Sequence, residues 1–573
     1  MRLSFLSLLF FLITPVSVLR ADALLVNQSM WSPAIAEIFI TEGGVEVELE
    51  IGVSGTGSFK NLLPEKIYSA LGYGDKLVTG RRQEFFEKQL LLLDDNQLPL
   101  VGELRQIGPS KRTLRDPFNG TPLPIQDNAP EVIRASLHFS YNNDTLPTQL
   151  TFYSRLGESI GFVAYHEKVA INDFRYLLSG QPINLNWNDP WYSAFQGRKF
   201  RRQNYAPMSG FIYVEPFEVR KEIIARPKDL QRWIELGLEG KTVISVDMQV
   251  EIKQKVAEFL AQHQPITIDG SSAEGILDSI NFLERTMSSS QVIDPPQPLD
   301  INSAILGTIF VYPQDNLPQK VTMDWDLWDE HIQSVPAVAV DQEGPLTSIL
   351  EPGYTRLEWI NFLKKPFIPS LHAVESPAGR AQTLLAKALP ISAGLILLAM
   401  AWLLTAIKRR QSWLFPACTT TILLTVCITA SLKGQSNKPE TEQAQRIVGS
   451  LLHNIYRAFD YRDEGDIYDK LERSVSGELL TDIFLETKRS LVLANQGGAQ
   501  AKVKNVELTS VTIQPDNKQG QFQVEADWTV HGSVGHWGHI HRRSNRYLAK
   551  LTVAVDRERW KLQDMTVLQQ ERL

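Results

Sequence analysis

"QFQVEADWTVHGSVGHWGHIHRRSNRYLAKLTVAVD", residues 521–556, decides how the C-terminal part of this chain folds. Phe522, Val524, Ala526, Trp528 and Val530 alternate with other residues, the period of a strand with one buried face. RYLAKLTVAV, residues 546–555, reads as its partner. Between them Gly532, Gly535 and Gly538 permit tight turns. Four of the chain's ten histidines also fall there: His531, His536, His539 and His541, with Trp537 among them. His539 and His541 are two apart, so on an extended strand both face one side. His531 or His536 could meet them across the hairpin, and neutral imidazoles suit Zn, Cu, Ni or Co. The same pattern also fits a solvated or partner-binding hairpin tip, because no carboxylate adjoins the cluster to complete a ligand set.

Working outward, the residues before this sheet have helical period. KPETEQAQRIVGSLLHNIYRAF (438–459) carries Ile447, Leu451, Ile455 and Phe459 on one stripe. DIYDKLERSV and SGELLTDIFLETKRSLVLAN continue in helices. The period then changes to two through AKVKNVELTSVTIQ, the quoted pair and ERWKLQDMTVLQ. Helices followed by about four antiparallel strands predict an α+β domain over 436–573. This order, from YRAFDYRDEGDIYDKL to WKLQDM, resembles the cone-like fold of the NTF2-like superfamily. The resemblance implies a curled sheet around an interior. That superfamily holds enzymes, binding modules and assembly domains alike, so it fixes no function. Under its enzymatic version Asp527 or His531 would act as acid or base inside the cone. The acidic run is not a calcium loop: aligned from Asp460, Arg462 takes position three and Leu471 takes position twelve, where a bidentate Glu is needed.

Two apolar runs precede this domain, ALPISAGLILLAMAWLLTAI at 388–407 and WLFPACTTTILLTVCITASL at 413–432. Each has about the 20 residues needed to cross a bilayer, and neither carries a charge. The loop 408–412 between them holds Lys408, Arg409 and Arg410, the mark of a cytoplasmic side. At the other end MRLSFLSLLFFLITPVSVLRADA (1–23) reads as a secretory signal peptide. These cues predict two transmembrane helices in a bacterial inner membrane, with the soluble regions on both sides of the hairpin in the periplasm. The only cysteines, Cys418 and Cys427, fall within the second run, so neither a disulfide framework nor a CxxC site is available to the soluble parts.

The remainder reads as β-rich and sandwich-like. AIAEIFITEGGVEVELEIGV (34–53) is a hairpin about Gly43-Gly44, with Phe39 breaking the alternation of its first arm. The spacing of strands and turn residues predicts a β-rich unit at 24–130, a sandwich plus a small helical element at 131–290, and a further sandwich-like unit at 296–375. PKDLQRWIEL, VEIKQKVAEFLAQH and AEGILDSINFLERTM carry helical spacing. In KVTMDWDLWDE, Val321, Met323, Trp325 and Leu327 share one face of a strand. The segment WNDPWYSAFQGRKFRRQNY interleaves Trp187, Trp191 and Tyr192 with Arg198, Arg201 and Arg202. It reads as a partner or ligand surface, or as a loop held by cation–π packing.

A net charge of -7 over 573 residues excludes a basic nucleic-acid binder. No P-loop, HExxH or GxSxG motif is present. The sequence therefore predicts a membrane-anchored cell-envelope protein that binds or assembles with a partner protein, leaning away from catalysis. No cofactor is expected, a divalent transition metal on the histidine hairpin being the alternative.

Overall fold

The computed structural model describes residues 28–375 and 439–573 apart from short gaps, with a few positions between 394 and 421. Among the described residues the strands form six sheets, organised as two sandwich-like units and a C-terminal unit.

The first unit starts from the predicted hairpin. Strands Ala34–Thr41 and Gly44–Gly52 pair with Thr41 opposite Gly44. Gly44 has φ +130°, and a Cβ there would lie 2.7 Å from the Phe139 carbonyl oxygen, so only glycine fits. Val45, Val47, Leu49 and Ile51 point inward and are buried. Phe39 breaks the alternation because its strand is central and covered on both sides. Its outer face stacks on Tyr165, with ring centroids 5.2 Å apart, beside a small cluster of Met30, Ile35, Val163 and Phe174. The sheet runs in the order Val101–Lys111, Glu131–Ser140, Gly44–Gly52, Ala34–Thr41, Ile160–His166, Val169–Ala170. A four-stranded sheet of Ala194–Phe195, Gln181–Asn184, Gln149–Ser154 and Leu90–Leu93 faces it across one apolar core.

The second unit repeats this plan. A seven-stranded sheet orders Ser290–Val292, Ile276–Arg285, Ile305–Pro313, Glu218–Ala225, Met208–Val214, Val335–Val340 and Pro345–Leu350. A four-stranded sheet containing Lys320–Asp324 and Arg356–Ile360 belongs to the same core. There Val321, Met323, Trp325 and Leu327 are all buried. Helix Val246–Ala261 begins at Ser245, whose hydroxyl accepts from the Met248 amide at 3.4 Å, and buries Ile252, Val256 and Leu260. Its C-terminal end is held by Lys221. The buried ammonium donates to the carbonyls of Leu260 (3.2 Å), His263 (2.8 Å) and Gln264 (3.2 Å).

The strand pairing crosses the unit boundaries predicted from sequence. Gly44–Gly52 pairs with Glu131–Ser140 across residue 130, and Ile276–Arg285 pairs with Ile305–Pro313 across 290–296. AEGILDSINFLERTM is a strand at Ile276–Arg285, not a helix. Phe282 enters the main core while Leu283 enters a second cluster on the opposite face. A strand covered on both sides shows no clean period of two.

The C-terminal unit places helices Thr441–Ala458, Glu464–Glu472 and Glu478–Gly497 before a four-stranded antiparallel meander. Strands Gln500–Ile513, Gln521–His536, His539–Asp556 and Arg559–Arg572 pair in chain order. The meander gains one more piece from upstream: Trp560 donates its amide to the Val374 carbonyl at 2.8 Å, and Glu375 bridges to Arg559.

Several sequence expectations are overturned. Among the described residues no helix is long and apolar enough to cross a membrane. Most of both runs, the loop 408–412 and the leader 1–23 lie outside the described residues. The inner-membrane attachment and the periplasmic placement of both soluble regions rested on that spanning hairpin, and they are withdrawn with it. An acid or base working inside the cone of the C-terminal unit would need an open interior. Tyr456, Phe522, Trp528, Tyr547 and Trp560 fill its interior and are buried, with Trp528 and Tyr547 stacked at 5.5 Å.

Candidate functional site

The aromatic–arginine segment is built into the joint between the first and second units. Asp189 caps the short turn Pro190–Tyr192 by accepting from the Trp191 amide at 3.2 Å. Trp191 is thereby buried. The Arg226 guanidinium lies 4.4 Å from its ring centroid and Arg202 lies at 5.2 Å. Arg226, at the end of the strand Glu218–Ala225, donates to Asp189 (2.9 and 3.2 Å) and to Asp229 (3.0 Å). Tyr192 donates its hydroxyl to Asp229 at 2.7 Å, and Arg232 links Asp229 to Asp329. Burial pushes the Asp229 carboxyl up, while Arg226 and the Tyr192 hydroxyl pull it back. Trp187 donates its indole N–H to the Pro147 carbonyl at 2.7 Å and meets His166 edge-on at 4.3 Å.

Trp187, Trp191, Tyr192 and Arg202 are therefore occupied by protein groups. They do not form an open surface for a sugar or a headgroup. Arg198 and Arg201 lie outside the described residues. Sequence reading found the aromatics and Arg202, but missed Arg226, Asp229 and Arg232. Those follow Tyr192 by 34 to 40 positions and reach the segment through the sheet pairing of the second unit.

In the C-terminal hairpin the strands run through the histidine cluster. His531 pairs with Ser544, Val534 with His541, and His536 with His539. Period two along this ladder gives positions 536, 539 and 541 one parity and position 531 the other. His531 is thus separated from the rest. Its Nδ1 lies 2.8 Å from Ser544 Oγ, and its Nε2 lies 3.7 Å from Glu507. Trp537 lies outside the described residues. Among the described residues no three His, Cys, Asp or Glu side chains are grouped to hold a metal ion.

Asp527 accepts from Arg546 at 3.0 and 2.6 Å, and this holds its carboxyl below the usual range. It is an ion-paired carboxylate, not an acid or base poised inside a cavity. A buried pair that no motif announces is His166 with Ser193, at 2.7 Å between Nδ1 and Oγ. Burial lowers the imidazole to about 4. His166 Nε2 has no hydrogen-bond partner, and both residues are enclosed, so no substrate reaches them. A cleft of about 440 Å³ lies beside the turn Asp556–Arg559. It is lined by four acids, Glu375, Glu472, Asp556 and Glu558, and four bases, Arg473, Arg557, Arg559 and Lys561. Lys561 pairs with Asp556 at 2.9 Å. With four acids and four bases the lining carries no net formal charge.

No protein-family model matches the chain, and no curated protein matches it. Among solved structures the chain is similar to the crystal structure of the intermembrane space region of the chloroplast protein ARC6. That similarity has 20% identity and covers 23% of this chain and 98% of that one, with a TM-score of 0.18. A likeness of that score carries no argument about fold or function, and it does not bear on the NTF2-like resemblance.

Proposed function

We propose that this chain is a binding or assembly protein that presents its β-rich units to a partner protein. The observation that carries this reading is one sheet edge. Pro345–Leu350 ends the seven-stranded sheet of the second unit and pairs on one side with Val335–Val340. It exposes Leu346 (55%) and Ile349 (61%). The edge of the first unit is defended differently. Val101–Lys111 carries Pro109 and the charged Glu103, Arg105 and Lys111, which discourage strand addition. This edge has its proline, Pro345, only at its first residue and carries no charged side chain, and its apolar side chains suit an extended partner segment that adds main-chain hydrogen bonds. The test is the double variant Leu346→Lys, Ile349→Lys. Partner co-purification should fall at least tenfold while the thermal transition is unchanged. Undiminished co-purification would overturn the reading.

We also propose, as a second reading, that His536, His539 and His541 bind a divalent transition metal. It is supported by the direct register of His536 with His539 and by the same-parity position of His541. Elemental analysis of the purified chain checks it. Bound Zn, Cu, Ni or Co lost in His539→Ala, His541→Ala supports the reading, and a metal-free chain after incubation with each ion removes it.

A further inference from the structure

The edge Pro345–Leu350 keeps an unbroken register with Val335–Val340, from Pro345 opposite Val340 to Leu350 opposite Val335. Other edges are interrupted or charged. Val101–Lys111 has a register shift between Leu104 and Gln106. Arg559–Arg572 skips Gln563 and Leu568 in its ladder, and such bulges turn an edge away from a new strand. Arg356–Ile360, which ends the other sheet of the second unit, exposes Arg356 and Glu358.

The side chains of the regular edge define what fits it. Leu346 lies opposite Ala339, and Leu350 opposite Val335. Ala339, Val335 and Leu350 belong to the main core, so Leu346 continues that face. Ile349 has the other parity and shares the face of Val338, which packs on the second cluster. A strand added here meets one aliphatic side chain on each face, three positions apart. A segment that is apolar at every second position matches only one of them.

The ends of the edge are acidic. Glu343 in the preceding turn and Glu351 just after the strand are exposed, and among the described residues neither pairs with a cation. Asp341 is engaged within the unit: its carboxylate accepts from the Glu343 and Gly344 amides at 2.8 and 3.3 Å and from the Trp359 indole at 2.9 Å. The cations of the neighbouring strands are engaged too. Arg356 forks onto Asp324 at 2.6 and 3.1 Å, and Lys320 pairs with Glu358 at 2.6 Å. Lys364 and Lys365 are drawn towards the Glu343 turn, because Gln342 exchanges two hydrogen bonds of 2.7 Å with the Phe367 backbone. They offset part of the charge at that end and leave Glu351 the less compensated of the two acids.

Resting on the strand-addition reading above, we infer that the occupant of this edge is an extended segment of a different protein, with two apolar residues three apart and a lysine or arginine two positions beyond the one beside Ile349. A second copy of this chain fits poorly. Antiparallel pairing of two such edges brings Glu343 of each copy towards Glu351 of the other, and like charges across a ladder repel.

Fluorescence anisotropy of a dye-labelled peptide titrated with the full chain tests this. The peptide Lys-Thr-Val-Thr-Thr-Val-Thr-Lys reads the same in both directions, so its valines reach Leu346 and Ile349 in either orientation. At low salt it should bind about tenfold more tightly than the same peptide with glutamate ends, and the gap should close as salt is raised. Glu351→Gln should remove most of that gap. An isomer with its valines two apart should bind about tenfold more weakly than the first peptide. Equal affinity of the lysine-ended and glutamate-ended peptides, with both lost in Leu346→Lys, Ile349→Lys, would overturn the inference and leave strand addition standing. No binding of the lysine-ended peptide would also overturn it, whereas the co-purification test judges strand addition separately. A chain that sediments as a dimer, and as a monomer in Leu346→Lys, Ile349→Lys, would assign the edge to a second copy instead.

Discussion

Replacing Lys221 with Met tests how the second unit is held together. In the wild type the ammonium satisfies three carbonyls at the end of Val246–Ala261 and sits 4.8 Å from the Phe310 ring centroid. Burial lowers it from 10.5 to about 8, against the pull of Asp326. The folded chain thus releases this proton near pH 8 and the unfolded chain near 10.5. Between those values the unfolded chain holds more protons, so stability rises with pH across the window. The charge penalty lifted there is about 3 kcal/mol. Methionine removes the charge and the donors together. Three carbonyls left without a partner cost roughly 5 kcal/mol in all. At neutral pH the relief of charge burial offsets about 3 kcal/mol of that, leaving a net loss of about 2 kcal/mol. By pH 10.5 the wild type has shed its own penalty, and the gap grows to about 5 kcal/mol. Urea unfolding followed by tryptophan fluorescence, with buried Trp325 and Trp359 as reporters, measures the gap at each pH. A difference that stays constant from pH 7 to 10.5 would refute the reasoning, because other titrating groups cancel in the subtraction.

His166 is enclosed and titrates at about 4. The unfolded chain therefore binds a proton first as pH falls, and the first unit should lose about 3 kcal/mol between pH 6.5 and 4. Acid unfolding of His166→Gln should lack that share of the loss. Trp191→Ala removes the ring packed against Arg226 and Arg202. It should cost about 3–5 kcal/mol, and limited proteolysis should then separate the first and second units. Gly44→Ala forces a side chain into φ +130° against the Phe139 carbonyl. It should cost roughly 2 kcal/mol or more, read as a lower transition temperature of the first unit.

What was legible in the sequence follows the range of the interactions. The hairpin 34–52 and the period-two strands of 521–556 could be read because alternation and glycine placement are local. Ile276–Arg285 could not, since Phe282 and Leu283 are buried in opposite directions by elements far along the chain. The unit boundaries failed for the same reason: Glu131–Ser140 and Ile305–Pro313 close sheets begun well before them. Trp191 and Tyr192 were recognised as an aromatic cluster among arginines. Their assignment to a joint needed Arg226 and Asp229, which no spacing rule connects to them. The spacing of His539 and His541 was visible, whereas the register that sets His531 on the other parity belongs to the folded ladder. Hydropathy marked two long apolar runs, but the architecture built on them does not stand among the described residues.

Site-specific photo-crosslinking in living cells tests most directly whether Pro345–Leu350 receives a partner strand. A photoreactive residue at Leu346 should give a discrete adduct with one protein, while the same residue at Val101 on the defended edge gives none. Equal labelling at both sites, or none at Leu346, would contradict the account.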